Sequence, residues 1–321
     1  MANRNAGPED ILVGGQAVIE GVMMRTPHAY AVSVRRADGS LSVKKEPVRR
    51  LAHIWKPLAW PVVRGFAVLL QSLVLGIRCL NYSFLMAAAD ADSGAAPAPG
   101  QEQKTGKGDY LLIFLSIGAA ALMAVFLFIL APLWITSGLK AYVAAVNNWF
   151  VFNLVDGLIR VVFFLAYILL IGHIKDIRRV FQYHGAEHMV VYTWEAGEEL
   201  TAANARAKSP LHPRCGTSFL LFVMVVSIVV FSLAKLSAFW AIFLSRVLLI
   251  PLIAGLSYEL IRLSAPRCRR GFFRLVVWPG LMLQRITTRI PADDQLEVAI
   301  FALREALELD GIRAREAQVA A

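Results

Sequence analysis

Long apolar stretches separated by short polar segments dominate the chain from residue 110 to residue 263. Four of these stretches are almost uninterrupted, at residues 110–136, 150–173, 218–240 and 241–263. A helix needs about 20 apolar residues to cross the hydrocarbon core of a bilayer. The pattern therefore predicts a mainly α-helical, polytopic membrane protein with four spanning helices.

An earlier apolar stretch, at residues 60–85, has a different pattern. It is long enough to cross a bilayer, but Arg64, Gln71 and Arg78 recur at every seventh position and mark one polar stripe on a helix. Such a stripe is typical of a helix that lies at the membrane surface or is partly embedded in it. We expect an interfacial helix here, with a fifth spanning helix as the alternative.

The N-terminal segment has the pattern of a small soluble β unit. Residues 30–35 and 41–44 alternate apolar with other residues, and Asp38 and Gly39 between them predict the tight turn of a β-hairpin. Residues 13–25 are glycine-rich, and we expect a loop there. The loop lacks the G-x-x-x-x-G-K spacing of a nucleotide-binding loop. Its polar side chains are candidates for binding substrate or supporting a site: Gln16, Glu20 and Arg25.

These patterns divide the chain into seven predicted segments. They are an N-terminal unit (1–56), an interfacial or membrane helix (57–88), a flexible linker (89–109), two spans (110–173), a polar loop (174–217), two further spans (218–263) and a C-terminal segment (264–321). The last segment contains an amphipathic helix that begins near Asp293. Residues 278–281 predict a broken or re-entrant element at the membrane surface.

Composition and charge agree with a membrane location and orient the chain. Mean hydropathy is +0.57 and 57% of the residues are hydrophobic, while 33 Lys and Arg residues stand against 23 Asp and Glu residues. The basic residues concentrate in the N-terminal segment and after residue 261, which the positive-inside rule places in the cytoplasm. We expect a multi-pass inner-membrane (plasma-membrane) protein with both termini in the cytoplasm. Topology and anionic lipids explain the positive charge, so we expect membrane lipids as partners and no nucleic acid.

The polar loop contains residues that can bind a metal. In a helix, His184 and His188 lie one turn apart on one face with Glu187 beside them, which is the H-x-x-E-H arrangement of a metal site with an adjacent carboxylate base. His212 and Cys215 can supply further ligands from the other end of the loop. Imidazole and thiolate ligands favour zinc among divalent metals.

Three interpretations of this pattern stay open. In a catalytic site three protein ligands hold the ion, a water occupies the fourth position and Glu187 removes its proton. If His184, His188, His212 and Cys215 all bind, the metal only staples the loop. The histidines could instead simply hydrogen-bond within a polar cluster. Gly185 is unfavourable in a helix interior by roughly 1 kcal/mol, so the run could also be a loop.

Charged residues inside the predicted spans suggest an alternative function. Asp156 and Arg160 are one helical turn apart and can pair within the bilayer, and Arg246 and Glu259 lie in the last predicted span. If these groups line one path, the protein is a transporter or handles lipids. A non-enzymatic scaffold with a structural metal is a further alternative.

Five runs, spread in order over almost the whole chain, carry a family resemblance: residues 14–25 (GGQAVIEGVMMR), 183–188 (YHGAEH), 212–219 (HPRCGTSF), 257–259 (SYE) and 279–300 (PGLMLQRITTRIPADDQLEVAI). They resemble the YqhQ-like family of bacterial membrane proteins, whose members carry a domain of unknown function and are described, by prediction, as metal-dependent enzymes. The resemblance implies that the family's motif positions include Gln16, Glu20, Arg25, His184, Glu187, His188, His212 and Cys215. Met189 departs from the pattern, because a lysine is expected there.

We therefore expect a metal-dependent membrane enzyme, most simply a hydrolase that acts on a membrane-associated substrate beside the bilayer. In this interpretation His184 and His188 are ligands of a divalent metal, with zinc the first choice, and His212 or Cys215 is a third. Glu187 is the base.

Overall fold

A computed structural model of the protein describes residues 13–48, 56–93, 107–264 and 271–319. This part of the chain is mostly helical with one small sheet. The strands are β1 (Gly14–Val18), β2 (Gly21–Arg25), β3 (Ala29–Arg35) and β4 (Leu41–Pro47). The helices are α1 (Val63–Ser93), α2 (Lys107–Val125), α3 (Ala131–Leu139), α4 (Trp149–Ile171), α5 (Lys175–Glu195), α6 (Ala202–Arg206), α7 (Gly216–Leu233), α8 (Phe239–Leu248), α9 (Ile250–Ser264), α10 (Gly271–Thr287) and α11 (Asp293–Val319).

The sheet is antiparallel throughout, with the strands in sequence order. The predicted hairpin is confirmed as β3 and β4. The predicted glycine-rich loop is wrong, because these residues form β1 and β2, joined by a turn in which Glu20 has a φ of 51°. Nearly all of β2 is buried, so the strand lacks the alternation of apolar and polar residues that identifies a half-exposed strand in sequence.

Both faces of the sheet are covered, which explains this burial. Alternate residues of a strand point to opposite faces. One face, including Val22 and Met24, packs in a buried cluster with Tyr183 of α5 and Leu296 of α11. The other face packs against the second half of α1, in a cluster of Val18, Met23, Tyr30, Val32, Val34, Leu75 and Cys79. The two ends of the chain and the middle helix α5 therefore share one core.

Helix α1 joins this core to the apolar helices. Near its start, Arg64 forms a two-pronged ion pair with Glu259 of α9. Near its end, Asp90 accepts hydrogen bonds from Arg36 of the sheet region. Residues 63–90 are long and apolar enough to cross a membrane, yet the second half of the helix packs on a strand surface.

Four helical stretches are long and apolar enough to span a bilayer: Val63–Asp90, Gly118–Leu139, Trp149–Ile171 and Gly216–Leu233. The second, third and fourth match the first three predicted spans. The last predicted span differs, because residues 241–263 fall in two helices, Phe239–Leu248 and Ile250–Ser264, bent by 48°. Pro251 explains the break, since its ring clashes with the carbonyl four residues earlier and it has no N–H to donate.

The three remaining predictions concern the linker, the broken element and the C-terminal helix. The predicted linker at 89–109 is helical at both ends, up to Ser93 and from Lys107, and residues 94–106 lie outside the described part of the chain. The predicted broken element at 278–281 is wrong, because α10 continues through Pro279. Gly280 permits close packing of α10 against α7, because a Cβ there would meet the Ser218 Oγ of α7 at 2.7 Å. The predicted C-terminal amphipathic helix is confirmed as α11.

A buried charge network connects α4, α7 and α8. An Asp156 carboxylate oxygen accepts from Arg160 at 2.9 Å and from Arg246 at 3.1 Å, and Arg246 also donates to Asn153 at 2.6 Å. Both guanidinium groups lie over the ring of Phe231. Asp156 and Arg246 are 1% and 2% exposed, so the carboxylate is the counter-charge that makes two buried arginines tolerable.

We expect Asp156→Asn to lower the free energy of unfolding by roughly 3 to 5 kcal/mol, because two buried guanidinium groups would lose their counter-charge. Unfolding of the purified protein in increasing concentrations of sodium dodecyl sulfate measures this loss. The control is Asp176→Asn, which changes an exposed acid in the first turn of α5 and should cost less than about 1 kcal/mol. Equal effects of the two substitutions would contradict the assigned role of Asp156.

Candidate metal site

The residues at 183–188 are helical, which confirms that His184 and His188 share a face. Both lie in α5, and their ring centroids are 4.4 Å apart. The glycine between them, Gly185, has a packing reason: a Cβ there would meet the backbone oxygen of Arg289 at 2.0 Å. The Arg289 N–H donates a hydrogen bond to Phe181 O of α5 at 2.9 Å. The chain after α10 thus crosses α5 in direct backbone contact.

Backbone carbonyls fix the orientation of both histidine rings. His184 Nδ1 lies 2.8 Å from Thr287 O, and His188 Nδ1 lies 2.5 Å from Pro210 O. Because a carbonyl only accepts, each Nδ1 must carry the proton in a neutral ring, and each Nε2 keeps its lone pair. This is the tautomer of a histidine that binds metal through Nε2, with a carbonyl holding the far side of the ring.

The third potential ligand is Cys215. Its sulfur lies 3.1 Å from His184 Nε2, and it accepts a hydrogen bond from the Thr217 N–H as the N-cap of α7. The potential ligand atoms of His184, His188 and Cys215 all lie within 4.8 Å of one another. The first turn of a helix favours negative charge, and the thiolate is the form of cysteine that binds metal.

The donor set fits a zinc-like ion. Neighbouring nitrogen and sulfur ligands on a tetrahedral zinc are about 3.5 Å apart, given metal–ligand bonds of roughly 2.0 and 2.3 Å. His188 is 1% exposed, and its Nε2 has no hydrogen-bond partner of good geometry among the described residues. Burial lowers the pKa of His188, which favours the neutral ring that binds metal, although the nearby Cys215 opposes this shift. A buried lone pair without a donor is the feature that an ion would satisfy.

Glu187 lies beside the potential ligands and is itself buried. One of its carboxylate oxygens is 4.0 Å from His188 Nε2. Burial raises its pKa, and the nearby His184 and His212 and a backbone hydrogen bond from Gly15 oppose this shift. Gly15 of β1 lies directly against it, since a Cβ there would meet Glu187 Cγ at 2.9 Å. The glycine-rich N-terminal segment thus forms one wall around this carboxylate.

His212 lies near the three potential ligands but outside their group. Its ring is 5.8 Å from that of His188, its Nδ1 accepts from the Arg214 N–H, and its Nε2 is 3.4 Å from a carboxylate oxygen of Glu195. Burial lowers its pKa and the charge of Glu187 opposes this. Both ring nitrogens therefore already have contacts, which leaves three convergent ligands.

Sequence reasoning missed one residue that organises the site, Gln284 of α10. It is fully buried, its amide oxygen accepts from the His212 N–H at 2.7 Å, and its amide nitrogen donates to His212 O and to Ser218 Oγ, each at 2.8 Å. The Gln284 amide thus pairs with both backbone groups of His212, as a neighbouring strand would, and fixes the start of the loop that carries Cys215. A glutamine directly after the apolar run at residues 275–283 was the available signal.

The three polar residues predicted beside the substrate lie on the sheet and contact other elements. Glu20 forms an ion pair with Arg179 and accepts from Tyr183 OH, so it ties the β1–β2 turn to α5. Arg25 donates to Gln71 of α1 at 3.3 Å. The Gln16 amide lies against Gly76 of α1, where a Cβ would meet it at 2.5 Å.

The polar residues of the predicted spans fall in two separate places. Asp156 and Arg160 belong to the network of α4 and α8, whereas Glu259 pairs with Arg64 of α1. Among the described residues, no hydrogen bond or ion pair joins the two groups. The structure therefore does not bring these residues together at one site.

The fold and the cluster define a mostly helical protein with membrane-type helices, a small sheet and a His–His–Cys group formed by α5 and the start of α7. The chain belongs to the family described as "Protein of unknown function (DUF1385)", whose model matches residues 60–309. It is 32% identical over 299 residues to the "Uncharacterized protein YqhQ" of Bacillus subtilis (strain 168), which covers 93% of each chain. No solved structure matches significantly.

We expect Gly185→Ala to destabilise the protein by about 1 to 3 kcal/mol, because the new methyl group would push the 287–291 segment away from α5. The midpoint of thermal unfolding in detergent measures this effect. Gly118→Ala is the matched control, since the space around that helical glycine is open. A wild-type midpoint for Gly185→Ala would show that the backbone contact is not required.

Proposed function

We propose that this protein is a metal-dependent membrane enzyme, most simply a hydrolase that uses metal-activated water beside the membrane. One observation carries the proposal. The Nδ1–H groups of His184 and His188 each donate a hydrogen bond to a backbone carbonyl. The two Nε2 lone pairs are therefore left in a group with the Cys215 sulfur. A pair of histidines that only served packing would not need both far nitrogens fixed in this way.

The donor set indicates which ion would bind. Two imidazoles and one thiolate favour zinc over magnesium or calcium, which prefer oxygen ligands. Three protein ligands leave one position for water, and a bound zinc would lower the pKa of that water to near neutrality. The contacts of His212 with Arg214 and Glu195 support an open position over a closed four-ligand site.

Glu187 has the position expected of a general base. Its carboxylate oxygen is 4.0 Å from His188 Nε2, and the Gly15 strand shields it from solvent. A carboxylate so close to the potential ligands can accept a proton from a water held among them and pass it on. Gln284 acts only through the His212 backbone, so it is a positioning residue.

The packing supports a cytoplasmic position for the site. The sheet, α5 and α11 share one core, so the N-terminal unit, the segment between α4 and α7, and the C-terminal helix lie on one side of the apolar helices. The N-terminal segment and the region after residue 261 are rich in Arg and Lys, and the positive-inside rule places such segments in the cytoplasm. A partly embedded α1 agrees with this position, because the second half of the helix packs against the other face of the sheet.

We expect the purified wild-type protein to contain about one zinc-like ion per chain. His188→Ala and Cys215→Ser should lower metal affinity at least roughly tenfold, since substitution of residues that only contact the ligands already lowers metal affinity by roughly 10- to 100-fold. Elemental analysis and cobalt substitution measure this, because Cys215 would give a thiolate-to-cobalt absorption band. His173→Ala is the matched control, as that histidine is exposed at the end of α4. A wild-type protein that binds no metal would overturn the proposal.

Catalytic and structural metals give different results with added azide. If the fourth position holds water, azide should replace it and shift the visible spectrum of the cobalt form. Glu187→Gln should keep both the metal and the azide response, because Glu187 is not one of the three ligands. An unchanged spectrum together with unfolding on chelation would identify a structural staple and exclude the hydrolase.

A further inference from the structure

A cavity of about 480 Å³ lies next to the His–His–Cys group. Its lining comes from α5, from the loop before Cys215 and from the end of α10, and includes Arg178, Gln182, Pro210, Arg285, Arg289 and Ile290. Pro210 forms part of both sites, because its carbonyl holds the His188 ring. The cavity is nonetheless a separate volume, since none of the three potential metal ligands lines it.

The charge of this cavity is one-sided. It is lined by three arginines and by no acidic residue. Arg178, Arg285 and Arg289 are exposed, and none of the three has an ion pair within the described part of the chain. This contrasts with Arg64, Arg179 and Arg214, each of which has a carboxylate partner. Three unneutralised guanidinium groups around one volume favour an anion, and their planar donor geometry suits phosphate oxygens.

Helix α10 leads from an apolar surface to this cavity. Phe272, Leu275 and Trp278 are 72%, 68% and 53% exposed. Trp278 precedes Arg285 by seven residues, which places both on nearly the same face, about 10 Å apart along the helix axis. Ile290, at 73% exposure, adds an apolar side chain to the cavity lining. A molecule with an anionic head and an apolar chain fits this arrangement along its whole length.

We propose that the arginine cavity binds the phosphate headgroup of an anionic membrane lipid, with the acyl chains along the exposed face of α10. As a statement of the substrate class, this inference rests on the proposed hydrolase. As a binding site it does not depend on a metal, so the two can fail separately.

The full-length protein in neutral detergent should bind a fluorescent phosphatidylglycerol more tightly than the matching phosphatidylcholine. Arg285→Gln combined with Arg289→Gln should weaken phosphatidylglycerol binding at least about tenfold, since tenfold corresponds to roughly 1.4 kcal/mol and two charge-assisted contacts would be lost. Arg262→Gln should leave the affinity unchanged, because Arg262 is an exposed arginine of α9 that neither lines the cavity nor lies on α10.

Three outcomes would overturn the inference. Equal binding of the two lipids, or equal loss in Arg262→Gln and the double variant, would show that no specific site exists there. Displacement of the lipid by inorganic phosphate at comparable affinity would identify a free-anion site. Metal content is measured on the same samples. Lipid binding that survives in metal-free protein separates this inference from the proposed hydrolase. Loss of lipid binding in the double variant, with the metal retained, supports a lipid site in the cavity.

Discussion

Direct backbone contact with α5 is the constraint on which the candidate site depends. The segment after α10 crosses the helix at Gly185, where a Cβ would meet Arg289 O at 2.0 Å, and β1 lies against Glu187 at Gly15. Only glycine permits such close approach. The first contact brings Thr287 O to His184, and the second closes the space around the carboxylate. Segments from both ends of the chain thus meet on one helix, which accounts for glycines in two distant motifs.

The candidate metal site and the neighbouring cavity differ in how deeply their ionisable groups are buried. Around the potential ligands, burial lowers the pKa of His188 and raises the pKa of Glu187, so both groups are shifted towards their neutral forms. Around the cavity, Arg178, Arg285 and Arg289 stay exposed and keep their hydration. Under the proposed function, a charged headgroup would bind in the exposed cavity and proton transfer would take place in the buried site, with Pro210 between the two environments.

Much of this arrangement could be predicted from the sequence, and the failures have physical causes. The His184–His188 pair and the β3–β4 hairpin follow from local periodicity, which the sequence displays directly. Strands β1 and β2 were missed because neither alternates between buried and exposed residues: β2 is almost fully buried, and β1 is half-buried along most of its length. The acceptors Thr287 O and Pro210 O and the clamp by Gln284 could not be found, since they arise where α10 and the loop before Cys215 meet α5.

One side chain of α10 connects the apolar helices to the candidate metal site. Gln284 binds Ser218 at the start of α7 and both backbone groups of His212, three residues before Cys215. A movement of α10 relative to α7 would therefore shift both the loop that carries Cys215 and the Thr287 carbonyl that orients His184. If the proposed lipid occupies the exposed face of the same helix, its binding would be coupled to the geometry at Cys215 through these hydrogen bonds. Buried amides of this kind lose several hydrogen bonds at once when displaced, so the link is stiff.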